Sequence, residues 1–224
     1  MAFMKTNSVD ITVDGQTYNS LTDFGLAIEN TDYLDSPVQG TNGIVIVPGK
    51  SGPLDQVDDI FGGQWFSYRR IQIKFGGIEV PEEWDQRISL YRNLFEGKKV
   101  QLVFATDPDW YWTGRVKIDA FAHNRALGTF DFIIEQADPY KYKDITLTTT
   151  ATSGGTTVTA AVTRKTVVPA VTCVSDITIT YNGETFSFTS GTHKDLAFRL
   201  PAGNNSLVVK GSGSVTIAYS DGSL

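Results

Sequence analysis

Four stretches of this chain alternate apolar and polar residues with a period of two. Ile71, Ile73 and Phe75 alternate with Arg70, Gln72 and Lys74; Val100, Leu102 and Phe104 with Lys99, Gln101 and Val103. Trp110, Trp112, Val116, Ile118 and Ala120 face Tyr111, Thr113, Arg115, Lys117 and Asp119 across one strand, and Phe130, Phe132 and Ile134 alternate with Thr129, Asp131 and Glu135. Successive side chains of a strand point to opposite faces. Sheets with one wet face give this pattern, whereas parallel sheets covered on both faces read as continuous apolar runs. The first part of the chain is therefore expected to be an antiparallel β-sandwich.

Local signals fill in the rest of it. Asp14-Gly15 sits between Ile11–Val13 and Gln16–Tyr18 and suits the positive φ angles of a hairpin turn. Ser20 to Asp35 reads as a short strand about Phe24-Gly25-Leu26 followed by a loop, and Gly43–Pro48 as an apolar strand closed by proline. Gly49 to Gln64 is loop-like, long for a compact domain, and is expected to be an arm or extended hairpin reaching a neighbour. One helix is expected. Pro81 suits its first turn, Glu82, Glu83 and Asp85 place negative charge at its positive end, and Gly97 stops it. Trp84, Ile88, Tyr91 and Phe95 form its single apolar stripe. The turn Asp107-Pro108-Asp109 launches the tryptophan strand, since proline presets φ and the aspartates can bond the local backbone.

Composition divides the chain near residue 143. Residues 1–143 hold 14 Lys/Arg, 20 Asp/Glu and all four tryptophans; residues 144–224 hold 5 Lys/Arg, 5 Asp/Glu, no tryptophan and 26 Ser/Thr. Two domains, 1–143 and 144–224, are expected, the acidic balance belonging to the first. In the second, Asp144–Thr150, Ile177–Tyr181, Phe186–Phe188, Leu196–Leu200, Leu207–Val209 and Val215–Tyr219 read as short strands between turns, with Asn182-Gly183 the strongest hairpin signal. That pattern means a second, small β-sandwich or barrel.

Chemistry is sparse. Net charge is −6 and the pI near 4.9, which disfavours general nucleic-acid binding because that needs basic surface. The amino terminus has no sustained apolar run, so no signal peptide is expected, and no window is long and apolar enough to insert in a membrane. The lone Cys173 lies in an apolar stretch and reads as a buried thiol. His123 and His193 have no second ligand at a metal-binding spacing, so neither metal nor cofactor is expected. Gly49-Lys50-Ser51 looks like the end of a phosphate-binding loop, but Gly43 stands one residue too far upstream and Pro53 follows where a helix would start. Glu82 and Glu83 point about 100° apart on a helix and do not form a catalytic pair. An enzyme is not expected.

The order of features in the first part resembles the distal tail (Dit) proteins of long-tailed phages, mostly those of Gram-positive hosts. The residues that carry it are Phe24-Gly25-Leu26, the arm Pro48-Gly49-Lys50-Ser51-Gly52, the strand Arg70–Phe75, and the helix ending Phe95-Glu96-Gly97. After these come Asp107-Pro108 through Tyr111-Trp112 and Gly114-Arg115, then Asp138-Pro139-Tyr140 through Tyr142. Pro201-Ala202-Gly203 and Val215–Tyr219 resemble the galectin-like C-terminal domain of the shorter members.

The resemblance implies a non-enzymatic virion protein, made in the bacterial host cytoplasm and placed at the tail tip. Its first domain would form a hexameric ring about a channel for passing DNA, without binding DNA specifically. The tail tube, tape-measure and receptor-binding proteins would be its partners, and the second domain would project outward. Gly49, Lys50, Ser51, Gly52, Arg115, Asp138, Pro139 and Tyr140 become candidates for the subunit interface, and Asp107, Pro108, Trp110, Trp112 and Gly114 a structural core motif. A tail-like bacteriocin or prophage particle would use the same scaffold. A non-catalytic carbohydrate-binding module that adheres to cell walls is the alternative from another class.

Overall fold

The structure, a computed structural model, describes residues 7–32, 37–39, 44–45, 54–55 and 66–224. It divides into two compact units, Met1–Pro139 and Tyr140–Leu224. Both are built from antiparallel strand pairs, and one α-helix occurs among the described residues.

In the first unit, β1 (Val9–Val13), β2 (Gln16–Asn19), β8 (Lys99–Phe104) and β9 (Trp112–Arg115) form a sheet in the order β2-β1-β8-β9. The second sheet runs β10 (Lys117–Asn124), β11 (Leu127–Ala137), β7 (Phe66–Ile78), β3 (Ala27–Asp32), with the short β4 (Val38–Gln39) also on β7. Val9, Ile11, Val100 and Leu102 from one sheet and Ile71, Ile73, Phe130 and Phe132 from the other bury into one core. The period-two reading of β7, β8 and β11 holds for the residues it named, although Ile133, on the opposite face of β11 from Phe132 and Ile134, is buried as well.

The helix α1 (Trp84–Phe95), preceded by a 3-10 turn Pro81–Glu83, buries the four residues its spacing singled out. Tyr91 stacks on Phe130 at 5.5 Å, and Phe95 meets Phe132 edge-on at 5.7 Å and Tyr18 at 6.1 Å. The stripe thus touches both sheets. Trp84 packs where Gly128 has no side chain: a Cβ there would lie 2.6 Å from the indole ring. The indole N–H donates to the Ala126 carbonyl at 3.1 Å, so the ring is held at its polar end as well.

Three expectations for this unit change. The segment from Trp110 to Ala120 is not one strand. It is cut at Val116, where the chain leaves the first sheet as β9 and enters the second as β10. Val116 donates to Lys98 O at 3.1 Å and accepts from Gly97 N–H at 2.8 Å, so the chain leaving the helix supplies the bonds that let the strand change sheets. Ala120, expected to face inward, is exposed with φ +51° at a bulge in the β10–β11 register. Phe24-Gly25-Leu26 is a turn, with the strand starting only at Ala27. Asn19 causes this: its side-chain oxygen accepts from the Leu21 and Thr22 N–H groups, and Asp23 accepts from the Asn19 N–H. Such side-chain bonds give the backbone an alternative to a ladder.

Of the expected Gly43–Pro48 strand, Ile44–Val45 is described as β5, pairing with β6 (Leu54–Asp55) as a hairpin. The arm residues Gly49, Lys50, Ser51 and Gly52 lie outside the described residues.

The second unit is a β-sandwich of two four-stranded sheets. One has the order β12 (Lys141–Ala151), β19 (Gly213–Ser223), β14 (Ala170–Cys173), β17 (Gly191–His193). The other has β13 (Thr156–Val162), β18 (Gly203–Gly211), β15 (Ile177–Tyr181), β16 (Glu184–Phe188). Val171, Ile179, Phe198, Leu207 and Ile217 are among the side chains buried in its core. Asn182 and Gly183 take φ of +50° and +83°, the turn their sequence specifies. Leu196–Leu200 is not a strand. Asp195 draws the chain into a turn by accepting from Ala197 N–H through its carboxylate and from Phe198 N–H through its carbonyl. Only Leu200 there makes a β-bridge, to Val167.

Candidate functional site

The turn that opens the Asp107–Arg115 stretch forms as expected. Asp107 N–H donates to Phe104 O at 2.9 Å and Trp110 N–H to Asp107 O at 3.3 Å, with Pro108 at the second turn position. The two tryptophans then separate. Trp112 is 3% exposed, opposite Leu102 in the register, with the Arg69 guanidinium 4.5 Å over its ring. Trp110 is half-buried and precedes the strand instead of lying in it, so the shared apolar face expected for the pair does not form.

Gly114 is required by a close approach. A Cβ there would come within 2.2 Å of Ile134 Cγ2 and 3.1 Å of Ala137 Cα, so β9 and β11 meet almost backbone to backbone. Asp138 N–H donates to Thr113 O at 3.1 Å beside that contact. The structure thus brings Trp112–Arg115 together with Ala137–Asp138, two candidates that sequence alone does not connect. Arg115 is exposed, and its Nη1 donates to the Gly97 carbonyl at 3.0 Å, tying β9 to the end of the helix. Pro139 is buried and Tyr140 half-buried.

Tyr140 and Tyr142 flank Lys165, whose ammonium lies 5.2 Å and 4.9 Å from their ring centroids and bonds the Tyr142 hydroxyl. Lys165 carries no sequence signal of its own; only the β12–β19 register, which sets Tyr142 opposite Gly222, makes room for it. Nearby, a groove of about 490 Å³ is lined by Asp144, Thr146, Lys165, Lys194, Ala218 and Ser220 among others. The Asp144 carboxylate accepts from Ser220 Oγ at 2.6 Å.

The outward face of sheet β10-β11-β7-β3 carries mixed charge. Arg70 pairs with Glu135 at 3.2 Å and Lys74 with Glu29 at 3.4 Å, while Gln72 bonds Asp131 at 2.8 Å. The titratable groups that sequence offered for chemistry are engaged structurally. His193 Nε2 lies 2.8 Å from the Thr189 carbonyl, and His123 stacks on Phe121. Burial pushes the Cys173 thiol above its ordinary pKa, Asp176 adding to the shift, which keeps it in the unreactive thiol form. Among the described residues no three His, Cys, Asp or Glu side chains cluster in a way that could hold a metal ion.

No family model and no curated protein matches the chain. Among solved structures it is similar to SPP1 Dit (gp 19.1), described as a paradigm of the hub adsorption apparatus in Gram-positive infecting phages. The TM-score is 0.64 over 96% of this chain and 99% of that one, at 16% sequence identity. The likeness is one of fold, and it spans both β-sandwiches.

Proposed function

We propose that this chain is a structural protein of a phage tail tip, in which the first unit forms a hexameric ring joining the tail tube to the receptor-binding apparatus. The observation that carries this reading is the fold likeness to SPP1 Dit over nearly the full length of both chains. The ordered motifs from Phe24 to Tyr142 agree with it. On this reading the ring surrounds the DNA channel, and an excess of Asp and Glu in the first unit keeps passing DNA from adhering. The arm Gly49–Gly52, with Arg115 and the Asp138–Tyr140 stretch, contributes to contacts between subunits. The second unit projects outward and presents receptor-binding proteins. The protein acts as scaffold and not as enzyme.

Light scattering coupled to size exclusion, with negative-stain images, tests the ring. Six subunits in a closed ring are expected at micromolar concentration. Arg115→Ala should shift the population to smaller species with little change in melting temperature, because its bond to Gly97 O is exposed. A sharp loss of melting temperature with the ring intact would remove Arg115 from the interface. A wild-type chain that stays monomeric up to millimolar concentration would sink the ring itself.

A further inference from the structure

On one side the second unit ends in two long strands. β12 borders one sheet and β13 the other, and among the described residues no strand pairs with the outer edge of either. Natural edges are blunted by shortness, charge, proline or a bulge. At the other ends of the two sheets the edge strands are short, β17 with three residues and β16 with five. β12 has eleven, in unbroken one-to-one register with β19, and its residues 145–150 carry neither charge nor proline. Ile145 and Leu147 on β12 and Val158 on β13 pack against the core yet stay only partly buried, so an apolar seam lies open along these edges. The ladder shows which way the β12 backbone faces. Ser214, opposite Thr150, accepts through its carbonyl from Val174 N–H at 3.4 Å, and Gly222, opposite Tyr142, from Lys165 N–H at 3.2 Å. Both carbonyls thus point away from β12. Bonded and non-bonded pairs alternate in an antiparallel ladder, so the even-numbered residues of β12 turn their N–H and C=O groups away from β19. Thr150 O accepts from Thr156 Oγ1 at 2.9 Å, which closes that end. Thr146 and Thr148 remain in the middle, and nothing among the described residues bonds their outward groups.

We propose that β12 pairs with the β12 of a second copy of this chain, antiparallel, about a two-fold axis at Leu147. An extended backbone is the ligand that an open sheet edge takes. Only this axis sets Thr146 of each copy against Thr148 of the other, with two backbone bonds at each of those two pairs. Leu147 then meets its own copy over the seam, and Ile145 meets Thr149. Lys143 faces Ala151 and Asp144 faces Thr150, so no like charges meet, whereas an axis at Asp144 would oppose two carboxylates. The strand is therefore complementary to itself, which favours a second copy over an extended segment of another protein. An edge contact falls below the roughly 1,200 Å² of a stable interface, so the pair forms and parts readily and needs a high local concentration. It joins the same surface of both copies, whereas neighbours in a ring meet head to tail, so this pairing and the ring stand or fall separately.

Disulfide trapping tests the register. Opposed residues of a bonded pair have Cα atoms about 5.5 Å apart, within the span of a disulfide. Thr146→Cys and Thr148→Cys chains, each substituted at an exposed position, are mixed at about 0.2 mM, a concentration suited to a weak contact. On mild oxidation the mixture should cross-link about tenfold faster than Ser206→Cys, an exposed position on the interior strand β18. It should also outpace either variant alone. The native thiol, Cys173, is buried and stays silent. Hydrogen exchange of the unsubstituted chain gives a second reading: the Thr146 and Thr148 amides should be protected at about 0.2 mM and not at about 2 µM. Thr148→Pro deletes an outward N–H and spares the β19 ladder, a change that edge strands tolerate, so protection at Thr146 should vanish while the fold persists. A mixture no faster than the Ser206→Cys control overturns the proposal, and so does fastest cross-linking by either variant alone. So do amides that exchange equally at both concentrations, which would leave the edge to a strand of another protein. Light scattering on the same samples reports on the ring separately.

Discussion

Trp112 shows how one side chain can fix a junction. It is buried opposite Leu102 and covered by the Arg69 guanidinium, so removing it leaves a cavity and takes the aromatic face from a buried cation. Trp112→Ala is expected to destabilise the first unit by about 3–5 kcal/mol, read as a shift in its urea midpoint. Asn205 holds a comparable position in the second unit. Its amide nitrogen lies 3.2 Å from Ala160 O, 2.9 Å from Pro201 O and 3.2 Å from Gly203 O, and its oxygen accepts from Tyr181 Oη at 2.7 Å. Asn205→Ala should cost about 1–3 kcal/mol in chemical denaturation, because it strands buried partners. An unchanged midpoint would mean that the loop Pro201–Gly203 relaxes freely around the site.

Between elements, the decisive contacts are those where glycine lets another element come close. Gly128→Ala would drive a methyl into the Trp84 indole and is expected to cost about 1–3 kcal/mol by overpacking, whereas Gly154→Ala, with open space around it, should stay within about 0.5 kcal/mol. Matched thermal melts of the two variants check this. These contacts also mark how far the sequence can be read. Alternation located β7, β8 and β11, and a 4-3-4 spacing located the buried stripe of α1, because one face of each element meets a single core. Asp14-Gly15 and Asn182-Gly183 were legible because their turns need positive φ, which both adopt. The break at Val116 was not, since Trp112, Val116 and Ile118 keep their period while the sheet they belong to changes. Nor were β13 and β14, whose buried residues, Ala160 and Val162 in one and Val171 and Cys173 in the other, are too few and too small to announce a buried face. Leu196–Leu200 failed in the other direction: its alternation is real, with Phe198 and Leu200 buried, but Asp195 captures the backbone in a turn. Of the candidate site, the contact of Trp112–Arg115 with Ala137–Asp138 depends on a pairing between distant segments that no local pattern encodes.

At the scale of the whole molecule, stability should depend on pH from the alkaline side. Burial raises the pKa of Tyr91, with Arg87 opposing and Glu79 adding; burial, then Asp221, raises that of Tyr219; burial, then Asp176, raises that of Cys173. A raised folded-state value contributes stability that is complete below the ordinary pKa, about 8.5 for the thiol and about 10 for the phenols, and is lost as pH rises through the folded value. Melting temperature should therefore hold from pH 7 to 8 and fall above about pH 8.5, with Tyr91→Phe flattening the part of the slope above about pH 10. A wild-type curve level to pH 11 would contradict this. The pairing of β12 with β19 along its whole length has a further consequence, for synthesis on the ribosome. The strand pairs described for the first unit all join residues before 139, so that unit can close while the remainder is still being made. The second unit cannot. Its first strand waits, unpaired along that edge, until residues 213–223 emerge, and a chain stalled before them should show a protease-resistant first unit trailing a cleavable β12.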